Sequence, residues 1–101
     1  MRYKVGVMNL QIVKDKALPI LKKHKVKKAA VFGSVAKGTA TYKSDVDFLI
    51  EYRGHDKTLL DLVDLKNALE EALGKKVDVI TYASINIRLR NRILSEQVSI
   101  L

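Results

Sequence analysis

The chain has 101 residues, 48% of them hydrophobic, and carries 19 Lys and Arg against 11 Asp and Glu, a formal net charge of +8. That length gives one domain spanning residues 1–101, and the apolar fraction excludes wholesale disorder. The absence of Cys excludes disulfides and thiolate metal sites, and no apolar run reaches the ~18 residues that a membrane helix needs.

The first eight residues are too short and too mixed for a signal peptide, so a cytoplasmic protein is expected. Residues 10–24 place Leu10, Val13, Ala17, Ile20 and Leu21 at helical spacing, with Asn9 as N-cap. Pro19 either kinks this helix or opens a shorter one that ends at His24. The cluster Lys22, Lys23, Lys25, Lys27 and Lys28 reads first as a solvated helix end, where cations are favoured. Residues 27–32 turn apolar before Gly33 and predict a buried strand. Gly33-Ser34 begins a turn and a short helical piece that Gly38 ends, and residues 39–44 read as loop.

Residues 45–52 form the clearest strand, closed by a turn at 53–56. From Thr58 to Leu73, the stripe Leu62, Leu65, Leu69 and Leu73 predicts a strong helix that stops at Gly74. Residues 76–82 are β-branched and alternate as a strand. Residues 86–96 predict a last helix, with Arg88 and Arg92 on a common face, and residues 98–101 add an edge strand. The order α-β-α-β-α-β-α gives a small α/β (α+β) fold, a mixed sheet with helices packed on it.

The chemistry concentrates in Gly33-Ser34, a ten-residue spacer and Asp45-Val46-Asp47. Asp45 and Asp47, two apart on a strand, point to the same face and repel unless a cation sits between them. Mg²⁺ prefers carboxylate oxygens together with substrate phosphates. Asp78 lies in the apolar run Val77-Asp78-Val79-Ile80, where a buried, unpaired charge would be expensive. If its strand pairs beside the 45–50 strand, three aspartates hold two metal ions, an arrangement suited to in-line phosphoryl or nucleotidyl transfer. Gly33 allows a sharp reversal with close backbone approach, and Ser34 sits where amides and a hydroxyl can meet phosphate. Gly-Ser or Asp-x-Asp alone carries little information; their order, with strand, turn and helix around them, carries much more.

Other residues attract less weight. His24 and His55 lack metal-site spacing and read as surface residues. Lys37 and Lys43 flank the Gly-Ser loop and are read as solvated. Tyr42, Tyr52 and Tyr82 are able to stack on a base, the latter two following the aspartate-bearing strands, but packing is their default. Glu51 shares the aspartates' face yet stands farther along the strand, outside the metal set.

The segment Val31-Phe32-Gly33-Ser34-Val35-Ala36-Lys37-Gly38, followed by Ser44-Asp45-Val46-Asp47-Phe48-Leu49-Ile50, resembles the minimal nucleotidyltransferase (MNT) domains of the DNA polymerase β superfamily. Asp78 matches their later strand aspartate, and the resemblance spans roughly residues 10–95. It implies the polymerase β-like fold, with Gly33 and Ser34 on the triphosphate of ATP. It implies that Asp45 and Asp47 ligate two Mg²⁺ ions, and that Asp78 ligates the catalytic ion and helps deprotonate the acceptor hydroxyl. Small members of this kind are often MntA-type antitoxins that transfer AMP to a tyrosine of a HEPN ribonuclease toxin, HepT. No template-binding region or added acceptor domain is visible, which counts against a polymerase or a small-molecule enzyme. The competing readings are a non-catalytic module that masks its partner and, from the charge alone, a nucleic-acid-binding domain, which lacks a reading motif.

Overall fold

The computed structural model describes residues 9–41 and 43–101. Helix α1 (Leu10–Lys23) starts where the Asn9 side chain accepts the Ile12 N–H at 2.9 Å. It runs through Pro19 without ending there and buries Ile12, Val13, Ala17 and Leu21. Strand β1 (Val26–Phe32) leads through Gly33 into the single turn α2 (Ser34–Lys37). Strand β2 (Val46–Tyr52) follows the loop. Helix α3 (Leu59–Leu73) opens with a capping box that the stripe of leucines did not reveal. The Thr58 N–H donates to Asp61 Oδ2 at 2.7 Å, and the Asp61 N–H donates to Thr58 Oγ1 at 3.4 Å. Gly74 ends α3 in the left-handed conformation. Strand β3 (Val77–Thr81), a 3₁₀ turn (Tyr82–Ser84), α4 (Arg90–Glu96) and β4 (Val98–Ser99) complete the order.

The sheet runs β3-β2-β1-β4. β1 is antiparallel to β2 and to β4, while β3 lies parallel to β2 after the α3 crossover. Alternation along β2 sends Val46, Phe48 and Ile50 into the main core, packed with Val13, Leu21, Leu65 and Leu69 of the two long helices. Leu49 points to the opposite face, into a small second cluster with Ala30 and Ile85, flanked by Phe32, Ile80, Ile93 and Leu94. The C-terminal segment thus covers one part of that face. The aspartates occupy the part it leaves open.

Two sequence expectations need correction. The last helix begins at Arg90, not 86. Asn86 holds the preceding residues in a turn: its side chain accepts the Arg88 N–H at 2.9 Å and its carbonyl accepts the Leu89 N–H at 2.9 Å. Arg88 therefore shares no helix face with Arg92. Strand β2 begins at Val46, so Asp45 stands just before the ladder, fixed by the Val46 N–H donating to the Lys76 carbonyl at 3.1 Å.

Candidate active site

The register places Phe32 opposite Asp47, and Asp47 beside Asp78. Gly33, the residue after Phe32, thereby comes against the Asp47 side chain. A Cβ built on Gly33 would collide with Asp47 Oδ2 and lie 3.4 Å from its Cγ. Gly33 also holds φ +74° and ψ −150°, a region that side chains disfavour. Both the approach and the backbone angle require glycine. The Gly-Ser turn and the first strand carboxylate are one interlocked structure.

Asp47 is half-buried, whereas Asp45 and Asp78 are exposed. Asp78 sits on the edge strand, which removes the burial cost that its apolar neighbours suggested. Burial pushes the Asp47 carboxyl up to about 6, and the charges of Asp78 and Asp45 push the same way. All three carboxylates therefore act on one spot. Among the described residues, no group of three or more His, Cys, Asp or Glu stands gathered as a metal cage. Like-charged carboxylates at neighbouring positions gain by rotating apart. The donor set nevertheless fits Mg²⁺. It is all oxygen, and it concentrates negative charge around Asp47.

Ser34 is the first residue of α2, beside Asp47 through Gly33. Its carbonyl accepts the Thr39 N–H at 2.9 Å, and the Thr41 N–H donates to Ser44 Oγ at 2.9 Å, so Ser44 shapes the loop that leads to Asp45. Lys37 is exposed, as expected, and its Nζ also pairs with Glu96 at 3.0 Å, tying α2 to α4. Glu51 pairs with Lys27 at 3.4 Å, at the far end of the strand.

Two cavities border β2 and β3. One, of about 740 Å³, lies against Asp45 and Asp78 and adds Lys66, Glu70, Lys75 and Lys76. The sequence reading missed these lysines. The signal was Gly74-Lys75-Lys76 between a helix stop and the Asp78 strand. The other, of about 390 Å³, lies at the opposite ends of the strands between Tyr52 and Tyr82. Tyr52 and Tyr82 therefore do not line the aspartate cavity, and Tyr42 lies outside the described residues. Tyr82 has a packing role, its hydroxyl donating to Gln97 Oε1 at 2.9 Å with Lys28 Nζ 4.5 Å from its ring centroid. The Tyr52 hydroxyl is buried without a hydrogen-bond partner among the described residues.

The family described as "Nucleotidyltransferase domain" matches residues 14–100, most of the chain. The chain belongs to that family. This nucleotidyltransferase is 53% identical over 94 residues to a candidate protein adenylyltransferase of Methanocaldococcus jannaschii, covering 93% of this chain and 100% of that one. A solved candidate minimal nucleotidyltransferase superposes with a TM-score of 0.76 at 36% identity, covering 90% of this chain and 95% of that one. The MNT antitoxin complexed with a tri-AMPylated HEPN toxin of Shewanella oneidensis shares the fold, with a TM-score of 0.70 at 18% identity over 90% and 71% of the two chains. The fold expectation is borne out. Among the described residues, no helix is long and apolar enough to cross a membrane.

Two outcomes follow for the nucleotidyltransferase. Gly33→Ala costs about 1–3 kcal/mol from the backbone alone. Because the new methyl meets Asp47, the double variant with Asp47→Ala loses less than the sum of the singles in denaturant melts; strict additivity would contradict the contact. The Asp47 carboxyl binds its proton more tightly folded, at about 6, than at its ordinary 3.8. Stability therefore falls as pH rises between about 4 and 6 and stays reduced above. In metal-free buffer, Asp47→Asn raises Tm at about pH 7.5, and the gain fades below about pH 4. A gain equal at both pH values would contradict this.

Proposed function

We propose that this nucleotidyltransferase is an antitoxin that transfers AMP from ATP to a hydroxyl, a tyrosine by the family resemblance, of a HEPN ribonuclease toxin and so silences it. The single observation that carries the reading is the row Gly33, Asp47 and Asp78, held side by side by strand register. The 53% identical candidate protein adenylyltransferase, matched along its whole length, supports the chemistry. The shared fold of an MNT antitoxin complexed with an AMPylated HEPN toxin supports the partner class.

Asp45, Asp47 and Asp78 would hold Mg²⁺, with two ions the expected load. Bound there, the ions would neutralise charge on the transferring phosphate. The chain supplies the rest. Gly33 lets the backbone approach the triphosphate, and the Ser34 hydroxyl donates to a phosphate oxygen. Asp78, exposed on its edge strand, is open to the acceptor and positioned to take the hydroxyl proton. The acceptor oxygen forms a bond to the α-phosphorus, the bond to the bridging oxygen breaks, and pyrophosphate leaves.

A second reading has its own observation. Leu59 and Leu60 are each 75% exposed and Ile87 is 86% exposed, so apolar surface is available for masking a partner without chemistry. Mixing the protein with Mg²⁺, α-labelled ATP and its genomic neighbour separates the two. Asp45→Ala or Asp47→Ala is expected to reduce labelling of the neighbour at least ~100-fold, with the fold intact by circular dichroism. Full labelling in either variant would sink the enzymatic assignment. Lost labelling with undiminished neutralisation would favour masking.

A further inference from the structure

We propose that the lysine-lined cavity beside Asp78 receives the acceptor, and that Lys66 and Lys76 select a hydroxyl with an anionic group next to it. The inference rests on the transfer reading above and names the substrate class of that site.

Strand order divides the site into two sides. Gly33 and Ser34 follow β1, Asp47 is central, and Asp78 lies on the edge strand β3. In phosphoryl transfer the attacking and leaving oxygens stand roughly in line. With the leaving pyrophosphate toward Gly33 and Ser34, the entering hydroxyl comes from the β3 side. That side holds the cavity of about 740 Å³, ample for a tyrosine and its neighbours. As a sheet edge, it is open to a macromolecular acceptor.

The lining then sets the chemistry. Lys66 comes from the middle of α3, and Lys75 and Lys76 come from the two positions after Gly74. Lys75 Nζ donates to the Thr41 carbonyl at 3.2 Å, tying the loop that leads to Asp45 to this wall. Glu70 accepts the Val77 N–H at 3.0 Å and so fixes the start of β3. Asp45 and Asp78 belong to the carboxylate set. Lys66 and Lys76 line the cavity together with Glu70, Asp45 and Asp78, and their charge offsets the repulsion between those carboxylates and an incoming anion. Two kinds of acceptor carry the matching anion: a tyrosine flanked by acidic side chains, or a hydroxyl on AMP already attached, whose phosphodiester supplies the charge.

The test measures fluorescence anisotropy of three labelled peptides with the full chain, Mg²⁺ and AMP-PNP. One peptide flanks its tyrosine with Gln, the second with Glu, and the third is the Gln peptide bearing AMP on its tyrosine. At least one anionic peptide is expected to bind about tenfold tighter than the neutral one, and which of them does identifies the source. Lys66→Gln with Lys76→Gln removes that preference. Lys22→Gln with Lys23→Gln, at the far end of α1, keeps it. Equal binding of all three peptides, a preference that survives the first pair, or one lost equally with the second pair would overturn the proposal. Transfer of label from ATP to the same peptides is followed in parallel. Lysine-dependent binding without any transfer would overturn the enzymatic reading and leave an anionic-peptide site.

Discussion

Glycine at position 33 is dictated by a carboxylate one strand away. Any side chain there would occupy the space of Asp47 Oδ2, and the backbone angles of the turn disfavour one in any case. Removing the Cβ lets β1 turn into α2 directly against the carboxylate on β2. The antiparallel register of β1 and β2 sets this contact, and the parallel register of β2 and β3 then sets Asp78 beside it. The proposed chemistry depends on that row.

The row stands because the two faces of the sheet have different duties. Val46 and Phe48 are fully buried on the face under the long helices, which leaves Asp47, between them, on the opposite face, where Leu49 is covered by the second cluster. The C-terminal segment covers only part of the second face, through Ile85, Ile93 and Leu94. The Lys37–Glu96 ion pair joins that segment to the turn after Gly33. Asp47 thus gains enough burial to be perturbed but remains open to ligand, and repulsion from Asp45 and Asp78 is retained in the native state. Stability given up at one spot is a common mark of a binding site.

Much of this was legible in the sequence because it rests on local rules. Asn9 and Gly74 mark helix ends by capping chemistry, and the leucine stripe of α3 by its period. Period-2 alternation puts Asp45 and Asp47 on one face, while Asp78 joins them only if its strand pairs alongside, and that pairing is what the register supplies. Features set by tertiary contact were hidden. The turn held by Asn86 looked helical because Ile87 and Leu89 continue an apolar period, although both are exposed. Lys37 is exposed as expected, but its ion pair was hidden because Glu96 is distant in sequence. Tyr52 and Tyr82 follow the right strands but lie at their other ends, which spacing alone does not separate from the site. The lysines beside Asp78 converge only once α3 folds back on β3.

The most direct test of where nucleotide binds uses Mn²⁺ in place of Mg²⁺, added with ATP to isotope-labelled protein, and follows paramagnetic broadening of the amide resonances. Broadening centred on Gly33, Ser34, Asp45, Asp47 and Asp78 is the expected result. Broadening centred instead on Tyr52, His55 and Tyr82, around the second cavity, would contradict the assignment of the aspartate row as the nucleotide site.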